Sequence, residues 1–524
     1  MKSDHEIASS ANLIPIDEIT KRLFIPPEYV IPYGRHIAKI HASYFQELQD
    51  KQDGSLILVT AMTPTSQGEG KTTVAIGLSQ SLNLLGRKVI ACIRQPSLGP
   101  YFGVKGGATG GGYSQVMPSD DISLHFTGDD HAVATAHNLI SSIIDNHIYH
   151  GNKLKIDLSR ILWKRVSNIN DRALRKVKVG LTGKTPVERI EEFHISAASE
   201  IMSILSVSQN LEELKHRIEN ILLAFDEHGN PITPKDLNIH GAVTLVLRNA
   251  IHPNLVQSIE GVPVFIHGGA FGNVSLGCSS LLAAKLALKL SDYVITEAGF
   301  AADLGAEKFF NIKCRIGNLY PKAAVIVATL KAVHLHSLEN LERHIENIKK
   351  FGMPVVVAIN RFNDDRDNEL TEVINSIRGK GVRAFVVDVR NKGGKGGIEL
   401  AEELIEICKR KNSFRYLYPL DMPVKEKIKT IAKEIYGAED VVFTKEAEED
   451  IKRYSMYQNL PLCIAKTAKS LSDNPDLTGV PKGFKITVNR ILPNLGAGFL
   501  AAICGNILLM PGLPEHPMAE GMDG

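Results

Sequence analysis

The stretch from residue 55 to residue 78, SLILVTAMTPTSQGEGKTTVAIGL, constrains the fold of this chain most. Residues 55–61 are mainly β-branched or aliphatic, which is typical of a strand buried on both faces. The loop TSQGEGKT follows, and an amphipathic helix is predicted from Lys71. The loop nearly matches the phosphate-binding pattern G-x-x-x-x-G-K-[ST], with Thr65 in place of the first glycine. Because a strand precedes it and a helix follows it, we interpret the loop as a nucleotide site rather than a glycine-rich turn with a chance lysine.

Each part of this loop has a chemical reason to bind phosphate. Gly68 and Gly70 allow the backbone N–H groups to turn inward. Lys71 supplies a positive charge for the outer phosphates, Thr72 offers a hydroxyl to Mg²⁺, and the helix directs its positive N-terminus at the anion. The predicted nucleotide-binding residues are Thr65, Ser66, Gln67, Gly68, Glu69, Gly70, Lys71 and Thr72.

Two further candidates follow predicted strands and are expected beside the loop. The crossover from the first strand through a helix to a second strand at residues 88–93 predicts parallel pairing. Ligands of open parallel sheets lie at the carboxyl ends of the strands. Arg94 follows the second strand, where its guanidinium would clamp a small carboxylate or acyl phosphate; a surface ion pair is the alternative. Glu297 ends a predicted strand at residues 291–297 and is the candidate for a further Mg²⁺ ligand.

Two glycine-rich runs are the next candidates. Residues 103–113 include five glycines within seven residues, and a backbone that approaches a ligand is favoured there over a flexible linker. Residues 390–397 predict either another ligand-facing loop or a basic turn in solvent. Polar residues at 124–131 and 145–147 match no zinc-binding template, so we expect them to line the same cleft or to pair with one another.

The composition restricts the class of protein. The chain of 524 residues carries a formal net charge of +2, which argues against a dedicated nucleic-acid binder. Its six cysteines lie far apart and form no C-x-x-C pair, which argues against a zinc site or a disulfide framework. The sequence shows neither a signal-peptide core nor an apolar run long enough to span a bilayer. We therefore expect a cytoplasmic protein that binds neither nucleic acid nor membrane.

The remaining segments predict an α/β fold. We expect a P-loop-containing, mostly parallel sheet flanked by helices, with two smaller α/β domains. At this length about two to four domains are expected, and we place them at 1–345 (with the nucleotide site), 346–420 and 421–524. The other predictions are a mixed, mostly helical region at 151–240, helices at 422–436 and 445–455, and strands at 459–465 and 484–491.

A set of strings spans nearly the whole chain: TPTSQGEGKTT (63–73), RQPSLGP (94–100), FGVKGGATGGGY (102–113), LHFTGD (124–129), DNH (145–147), NDRALR (170–175), TEAGF (296–300), ADLGAEKFF (302–310) and AKT (465–467). Together, and in this order, they resemble the formate–tetrahydrofolate ligase family. The resemblance implies that ATP phosphorylates formate and that an amine of tetrahydrofolate takes the formyl group. It implies that the phosphate loop and Mg²⁺ bind ATP and that Arg94 holds formate. A homotetramer and a monovalent cation, K⁺ or NH₄⁺, are further expectations of the resemblance.

The chain departs from the family pattern on the acceptor side. In the family the pterin ring lies between a Phe and a Trp; Phe362 matches the Phe, and Arg390 stands where the Trp is expected. Asn363 stands where a Pro follows the Phe, and Leu276 stands where the family has a His. Arginine also stacks on aromatic rings. By the resemblance, the expected acceptor-binding residues are Phe300, Phe362, Asn363 and Arg390.

Three functions are therefore open at this stage. The first is a formate–tetrahydrofolate ligase with an altered acceptor site. The second is a formate ligase that acts on a different amine or a modified pterin. The third is a nucleotide-binding paralogue that has lost catalysis. Lys71 and Arg94 argue against the third, because activating formate as an acyl phosphate needs positive charge at both positions.

Overall fold

The structure of the protein is a computed structural model, and it describes residues 2–105, 109–181 and 188–522. Its strands, in chain order, are β1 (Val30–Pro32), β2 (Ala38–Ile40), β3 (Ser55–Ala61), β4 (Val89–Ile93), β5 (Gly110–Gly111), β6 (Ser114–Met117), β7 (Ile156–Ile161), β8 (Arg165–Ser167), β9 (Val177–Val179), β10 (Arg189–Glu191), β11 (Phe193–Ile195), β12 (Ala224–Asp226), β13 (Pro231–Ile232), β14 (Asn254–Ser258), β15 (Pro263–Ile266), β16 (Tyr293–Glu297), β17 (Ala323–Ala328), β18 (Val355–Asn360), β19 (Arg383–Val387), β20 (Asp440–Phe443), β21 (Leu462–Ala465), β22 (Lys485–Asn494) and β23 (Phe499–Cys504). Its α-helices are α1 (Asp4–Ser9), α2 (Ile16–Arg22), α3 (Tyr44–Glu47), α4 (Lys71–Leu84), α5 (Leu98–Pro100), α6 (Ser119–Ser123), α7 (Asp129–Tyr149), α8 (Glu200–Val207), α9 (Leu211–Glu219), α10 (His240–Leu247), α11 (Leu281–Leu290), α12 (Arg315–Gly317), α13 (Leu330–His336), α14 (Leu338–Lys350), α15 (Asp367–Gly379), α16 (Val389–Lys392), α17 (Ile398–Cys408), α18 (Val424–Ile431) and α19 (Lys445–Arg453).

One large sheet of twelve strands organises the described chain. Its path is β1-β2-β14-β15-β4-β16-β3-β17-β18-β19, and the β5–β6 hairpin pairs with β14. From β15 to β19 all neighbours run parallel. The strands β1, β2 and β14 pair antiparallel at the other edge. The predicted α/β fold with a mostly parallel sheet flanked by helices is confirmed.

The central strand β3 explains why this sheet is covered by helices on both faces. Leu56 and Leu58 belong to the hydrophobic cluster on one face, and Ile57 and Val59 to the cluster on the other. Successive side chains of a strand point to opposite faces, so a continuous apolar run buries both of them. Among the described residues, no helix is long and apolar enough to cross a membrane.

Helix α4, which follows the phosphate loop, is buried from Val74 to Leu82 because the segment after β19 packs on it. A Cβ at Gly77 would lie 2.3 Å from that of Val389, and a Cβ at Gly394 would lie 2.8 Å from the backbone of Gln80. The glycines of this run therefore allow close packing between a loop and a helix. The prediction of a ligand-facing loop or a solvated turn at residues 390–397 was wrong for its glycines, since Gly393, Gly394 and Gly397 are buried.

The region from residue 151 to residue 240 was predicted as mostly helical, and this was wrong. It contains the short strands β7 to β13, together with helices α8 and α9. These strands are two to six residues long. Such short strands carry too few residues to show a period of two.

The C-terminal part has its own sheet, in the order β20-β22-β23-β21. The strands predicted at 459–465 and 484–491 correspond to β21 and β22, and the helices predicted before them correspond to α18 and α19. A buried ion pair between Lys466 and Asp303, with 2.8 Å between Nζ and Oδ2, joins this sheet to the rest of the protein. The main sheet continues across residue 345 through β18 and β19. The domain boundaries at 345 and 420 stay predictions.

Candidate active site

The loop between β3 and α4 makes a tight turn that depends on glycine. Gly68 (φ +81°) and Gly70 (φ +71°) both have the left-handed backbone conformation. A Cβ at Gly70 would also lie 2.5 Å from Nδ2 of Asn360, so both the backbone and the available space require glycine there. Thr65 lies outside the left-handed region. The loop therefore needs no glycine at the position where the phosphate-binding pattern has its first one.

Glu69, which was predicted as part of the nucleotide site, faces the protein interior and holds the loop in place. Its side chain is 1% exposed. One carboxylate oxygen accepts a hydrogen bond from the backbone N–H of Thr65 (2.7 Å), and the other accepts one from the hydroxyl of Thr329. The backbone carbonyl of Glu69 accepts a hydrogen bond from Nδ2 of Asn360 (3.1 Å). The ends of β17 and β18 are therefore tied to the phosphate loop through this one residue.

The two predicted Mg²⁺ ligands lie together. The hydroxyl of Thr72, in the first turn of α4, donates to Oε2 of Glu297 at 2.7 Å. Glu297 is 6% exposed and ends β16, which pairs with β3. Mg²⁺ prefers hard oxygen donors and usually takes one or two from the protein, with phosphates and water completing its shell. A hydroxyl and a carboxylate at this distance fit such an ion.

Arg94 follows β4 on the far side of β16 from the phosphate loop. Its guanidinium packs on the backbone of Gly299, where a Cβ would lie 3.3 Å from Cζ and from Nη2. Among the described residues, Nε of Arg94 is buried without a hydrogen-bond partner. A buried cationic N–H without an acceptor is costly, and a bound anion would satisfy it. The position therefore fits a carboxylate or acyl phosphate better than a surface ion pair.

Phe300 lies immediately after Gly299. Its backbone has a φ of +61°, which is uncommon for an aromatic residue and found mainly where surrounding structure enforces it. Its ring lies against Gly272, where a Cβ would be 2.8 Å from Cε2. Phe300, one of the predicted acceptor residues, is therefore the sequence neighbour of Gly299, on whose backbone the Arg94 guanidinium packs.

Phe362 and Asn363 lie in the loop that follows β18, at the same edge of the sheet. The backbone N–H of Phe362 donates to Oδ2 of Asp365 at 2.8 Å. Nδ2 of Asn391, next to Arg390, donates to Oδ1 of Asn363 at 3.1 Å. The loop after β18 and the short helix α16 after β19 are thus joined by a side-chain hydrogen bond.

Arg390 contacts the N-terminal helix. Its Nη2 donates to Oδ1 of Asp4 at 2.8 Å, and the two side chains are 46% and 42% exposed. The same carboxylate oxygen accepts the backbone N–H of Gly112 at 3.0 Å. A Cβ at Gly111 would lie 2.6 Å from Nη1 of Arg390, and one at Gly112 would lie 2.0 Å from its carbonyl oxygen.

These contacts give the second half of the glycine-rich run at 103–113 a role in packing around Arg390. Gly110–Gly111 forms β5. Residues 106–108 of the predicted ligand-approaching run lie outside the described residues. Among those described, no group of three or more His, Cys, Asp or Glu side chains could hold a metal ion. In the segment at 124–131, Asp129 instead forms a buried ion pair with Lys39 (2.8 Å).

Two residues after β17 complete the edge of the sheet and were not predicted from the sequence. Thr329 bonds Glu69 and also accepts the N–H of Ala332 at the start of α13. Lys331 lies with its Nζ 5.3 Å from the centre of the Phe362 ring. Thr329 directly follows β17, so the argument that selected Arg94, a polar residue directly after a parallel strand, would have found it. Lys331 lies two residues further on, in α13.

Buried side chains also hold Thr63, which lies just before the loop at residues 65–72. Nε2 of His344 lies 3.0 Å from the hydroxyl of Thr63, and Nδ2 of Asn340 donates to the same hydroxyl at 3.0 Å. Asn340 also donates to the carbonyl of Gly479 in the C-terminal part. Burial lowers the pKa of His344 to about 4, so this histidine is neutral near pH 7.

The comparison with protein families covers nearly the whole chain. The family model described as formate–tetrahydrofolate ligase matches residues 2–523. The match thus covers the phosphate loop, the ends of the parallel strands and the C-terminal sheet together. The chain belongs to the formate–tetrahydrofolate ligase family.

Proposed function

We propose that this protein is an ATP-dependent formate–tetrahydrofolate ligase. It would form formyl phosphate from ATP and formate and transfer the formyl group to N10 of tetrahydrofolate, releasing ADP and phosphate. Family membership over residues 2–523 supports the overall reaction. The observation that carries the formate step is the unsatisfied Nε of Arg94, two strands away from the phosphate loop at the same edge of the sheet.

In the first step a formate oxygen attacks the γ-phosphorus of ATP and ADP leaves. We assign the phosphates to the loop at residues 65–72, with the charge of Lys71 and the positive end of α4 directed at them. Arg94 would hold the formate carboxylate with paired N–H donors. Mg²⁺, held by Thr72 and Glu297, would neutralise charge on the phosphates. Glu69 acts indirectly, because its buried carboxylate fixes the loop.

In the second step the amine nitrogen of tetrahydrofolate attacks the formyl carbon. The bond from that carbon to the phosphate oxygen breaks, phosphate leaves with the electron pair, and the amine loses its proton. Arg94 would remain on the departing phosphate and stabilise its charge. The acceptor would lie near Phe300, Phe362, Asn363 and Arg390.

Two assays separate these steps. Formate-dependent positional isotope exchange in ATP reports reversible formyl phosphate formation without an acceptor. Incorporation of ¹³C-formate into tetrahydrofolate reports both steps. Arg94→Gln should lower both signals by about 10²–10³-fold, as removal of a preorganised charge donor does. Phe362→Ala should lower only the incorporation.

Arg383→Gln is the matched control, since Arg383 lies at the opposite end of β19 in an exposed ion pair with Glu403. It should leave both signals unchanged. If ADP forms from ATP at the same rate with and without formate, the ligase proposal fails.

A further inference from the structure

Lys313 is a fully buried lysine for which the reaction described above has no role. It lies in the helical segment Phe309–Cys314, and its side chain is 0% exposed. Its Nζ donates to the hydroxyl of Ser279 at 3.3 Å and lies 5.5 Å from the centre of the Phe309 ring. An ammonium group therefore lies inside the protein against a neutral hydroxyl and an aromatic ring.

The other fully buried lysines of the described chain have stronger partners. Lys39 and Lys466 each form an ion pair with an aspartate. Lys308 and Lys427 each donate to two backbone carbonyl groups. Among the described residues, Lys313 forms no ion pair, and its hydrogen-bond partner is a single hydroxyl. A buried charge without a counter-ion is costly, so an anion bound nearby would offset that cost.

A series of short polar contacts places Lys313 behind the strand that leads to Arg94. Oγ of Ser279, the partner of Lys313, lies 3.3 Å from Oγ1 of Thr296 near the end of β16. The hydroxyl of Thr296 donates to the carbonyl oxygen of Cys92 in β4 at 3.2 Å. Arg94 follows β4 directly. The ammonium of Lys313 therefore lies behind the carboxyl ends of β4 and β16.

The carboxylate that ends β16 does not neutralise Lys313. Val294 belongs to the hydrophobic cluster on one face of the sheet, and Ile295 belongs to the cluster on the other. Because side chains alternate along a strand, Thr296 faces the side of Val294 and Glu297 faces the side of Ile295. Glu297 accepts a hydrogen bond from α4 on that side. The proposed Mg²⁺ ligand and the Lys313 ammonium are thus on opposite faces of the sheet.

The thiol of Cys278 lies near both Lys313 and Arg94. The backbone of Cys278 pairs with that of Ala298, and the guanidinium of Arg94 packs on the next residue, Gly299. Burial raises the pKa of the Cys278 thiol, and the charges of Lys313 and Arg94 both act against this rise. Two buried cations therefore act on the same small volume, which also contains the unpartnered Nε of Arg94.

We propose that Lys313 is a positioning residue of the formate site. Its buried positive charge adds to that of Arg94 and attracts the carboxylate of formate, and later the phosphate of the acyl phosphate, from behind the strand ends. The inference rests on the ligase function proposed above and adds a buried cation that contacts no substrate. A bound anion in turn offsets part of the cost of burying the ammonium, so the two effects stabilise each other.

The test measures formate binding to Lys313→Met, which keeps the aliphatic stem and removes the charge. The dissociation constant of ¹³C-formate is taken from its NMR line broadening, and the KM for formate is taken from the positional isotope exchange. Both should rise about five- to tenfold, as expected for partly screened charges several ångströms apart inside a protein. The KM for ATP should stay the same. The thermal midpoint without formate should not fall, because an apolar side chain replaces a buried charge.

Lys313→Gln is the second variant, since it removes the charge and keeps a donor for Ser279. It should raise the same two constants. Lys427→Met is the matched control, because Lys427 is also fully buried and lies in α18 of the C-terminal part. It should leave the affinity for formate unchanged.

The inference is overturned if Lys313→Met and Lys313→Gln bind formate as tightly as the wild type. It is also overturned if neither variant folds, or if both lower the thermal midpoint and weaken ATP and formate binding alike, since these results indicate a structural role. The ligase proposal stands in each of these cases. If the wild type neither binds formate nor shows formate-dependent exchange, both proposals are overturned.

Discussion

The phosphate-loop half and the acceptor half of the candidate site are held together by different kinds of contact. In the first half the bonded carboxylates are buried, as at Glu69 and Glu297. In the second half the charged groups are partly exposed, as at Arg390 (46%) and Lys331 (40%). Removing a partner from a buried polar group costs about 1–3 kcal/mol, whereas an exposed ion pair contributes about 0–1 kcal/mol. The contacts of the first half therefore resist disruption more than those of the second, and we refer to them as the rigid half and the adaptable half.

The largest effect is expected where the rigid half would bind Mg²⁺. Glu297→Gln keeps the shape of the side chain and its contact with Thr72 but removes the negative charge. Because a metal ion bound there would lose an anionic partner, the Mg²⁺ concentration for half-maximal rate should rise about 10- to 100-fold. A titration of the formylation rate with Mg²⁺ measures this. Glu403→Gln, which removes an equal charge at the remote end of the sheet, should leave the titration unchanged. An unaltered Mg²⁺ requirement in Glu297→Gln would remove this residue from the metal site.

An intermediate effect is expected on how much the thermal stability of the protein falls between pH 7 and pH 5, through the buried His344 of the rigid half. The pKa of His344 is about 4 in the folded protein because the ring is buried, against an ordinary value of 6.5. Between pH 6.5 and pH 4 this histidine is protonated in the unfolded chain but neutral in the folded one. The free energy of unfolding therefore decreases as the pH falls through this range. His344→Gln keeps a donor or acceptor for Thr63 and removes the titration. Its thermal midpoint should fall less between pH 7 and pH 5 than that of the wild type.

His334→Gln is the control for this pH dependence, because His334 is exposed on the preceding helix. It should keep the wild-type decrease in the thermal midpoint. Equal pH responses of the two variants would mean that the buried ring is not the source of the acid sensitivity.

The smallest effect is expected at the adaptable half. Asp4→Asn weakens the exposed ion pair with Arg390, so the free energy of unfolding should change by less than about 1 kcal/mol. The KM for tetrahydrofolate should change by no more than about fivefold, and the KM for ATP should stay the same. Asp17→Asn breaks an exposed pair with Lys21 away from the sheet edge and serves as the reference. A large change in the KM for ATP would contradict the separation of the two halves.

The sequence predicted those parts of the site that depend on local pattern. A buried strand, a glycine-containing loop and a helix predicted the loop at residues 65–72, and the rule for strand ends predicted Arg94 and Glu297 at one edge of the sheet. Phe362 was predicted from the resemblance to the family. The same rule, applied to β17, selects Thr329, which directly follows that strand. Lys331 lies inside the helix after it, so its place beside Phe362 depends on how that helix packs.

Other features depend on contacts between distant parts of the chain. The inward direction of Glu69 is set by Thr329, 260 residues further on. The pairing of Arg390 with Asp4 spans 386 residues and leaves no periodic pattern. The glycines after Arg390 predicted a loop, but their packing on α4 requires knowledge of which helix lies against which strand. Local patterns carry no information of this kind.

The order of the parallel strands has a final consequence for the reaction. Neighbouring strands lie about 4.8 Å apart, and the order β4-β16-β3-β17-β18 puts the strand of Arg94 and that of Phe362 two spacings to either side of β3. The strand spacing alone thus sets a distance of about 10 Å from the phosphate loop to each flank. The distance between the two flanks is therefore set by the hydrogen bonds of the backbone rather than by the side chains.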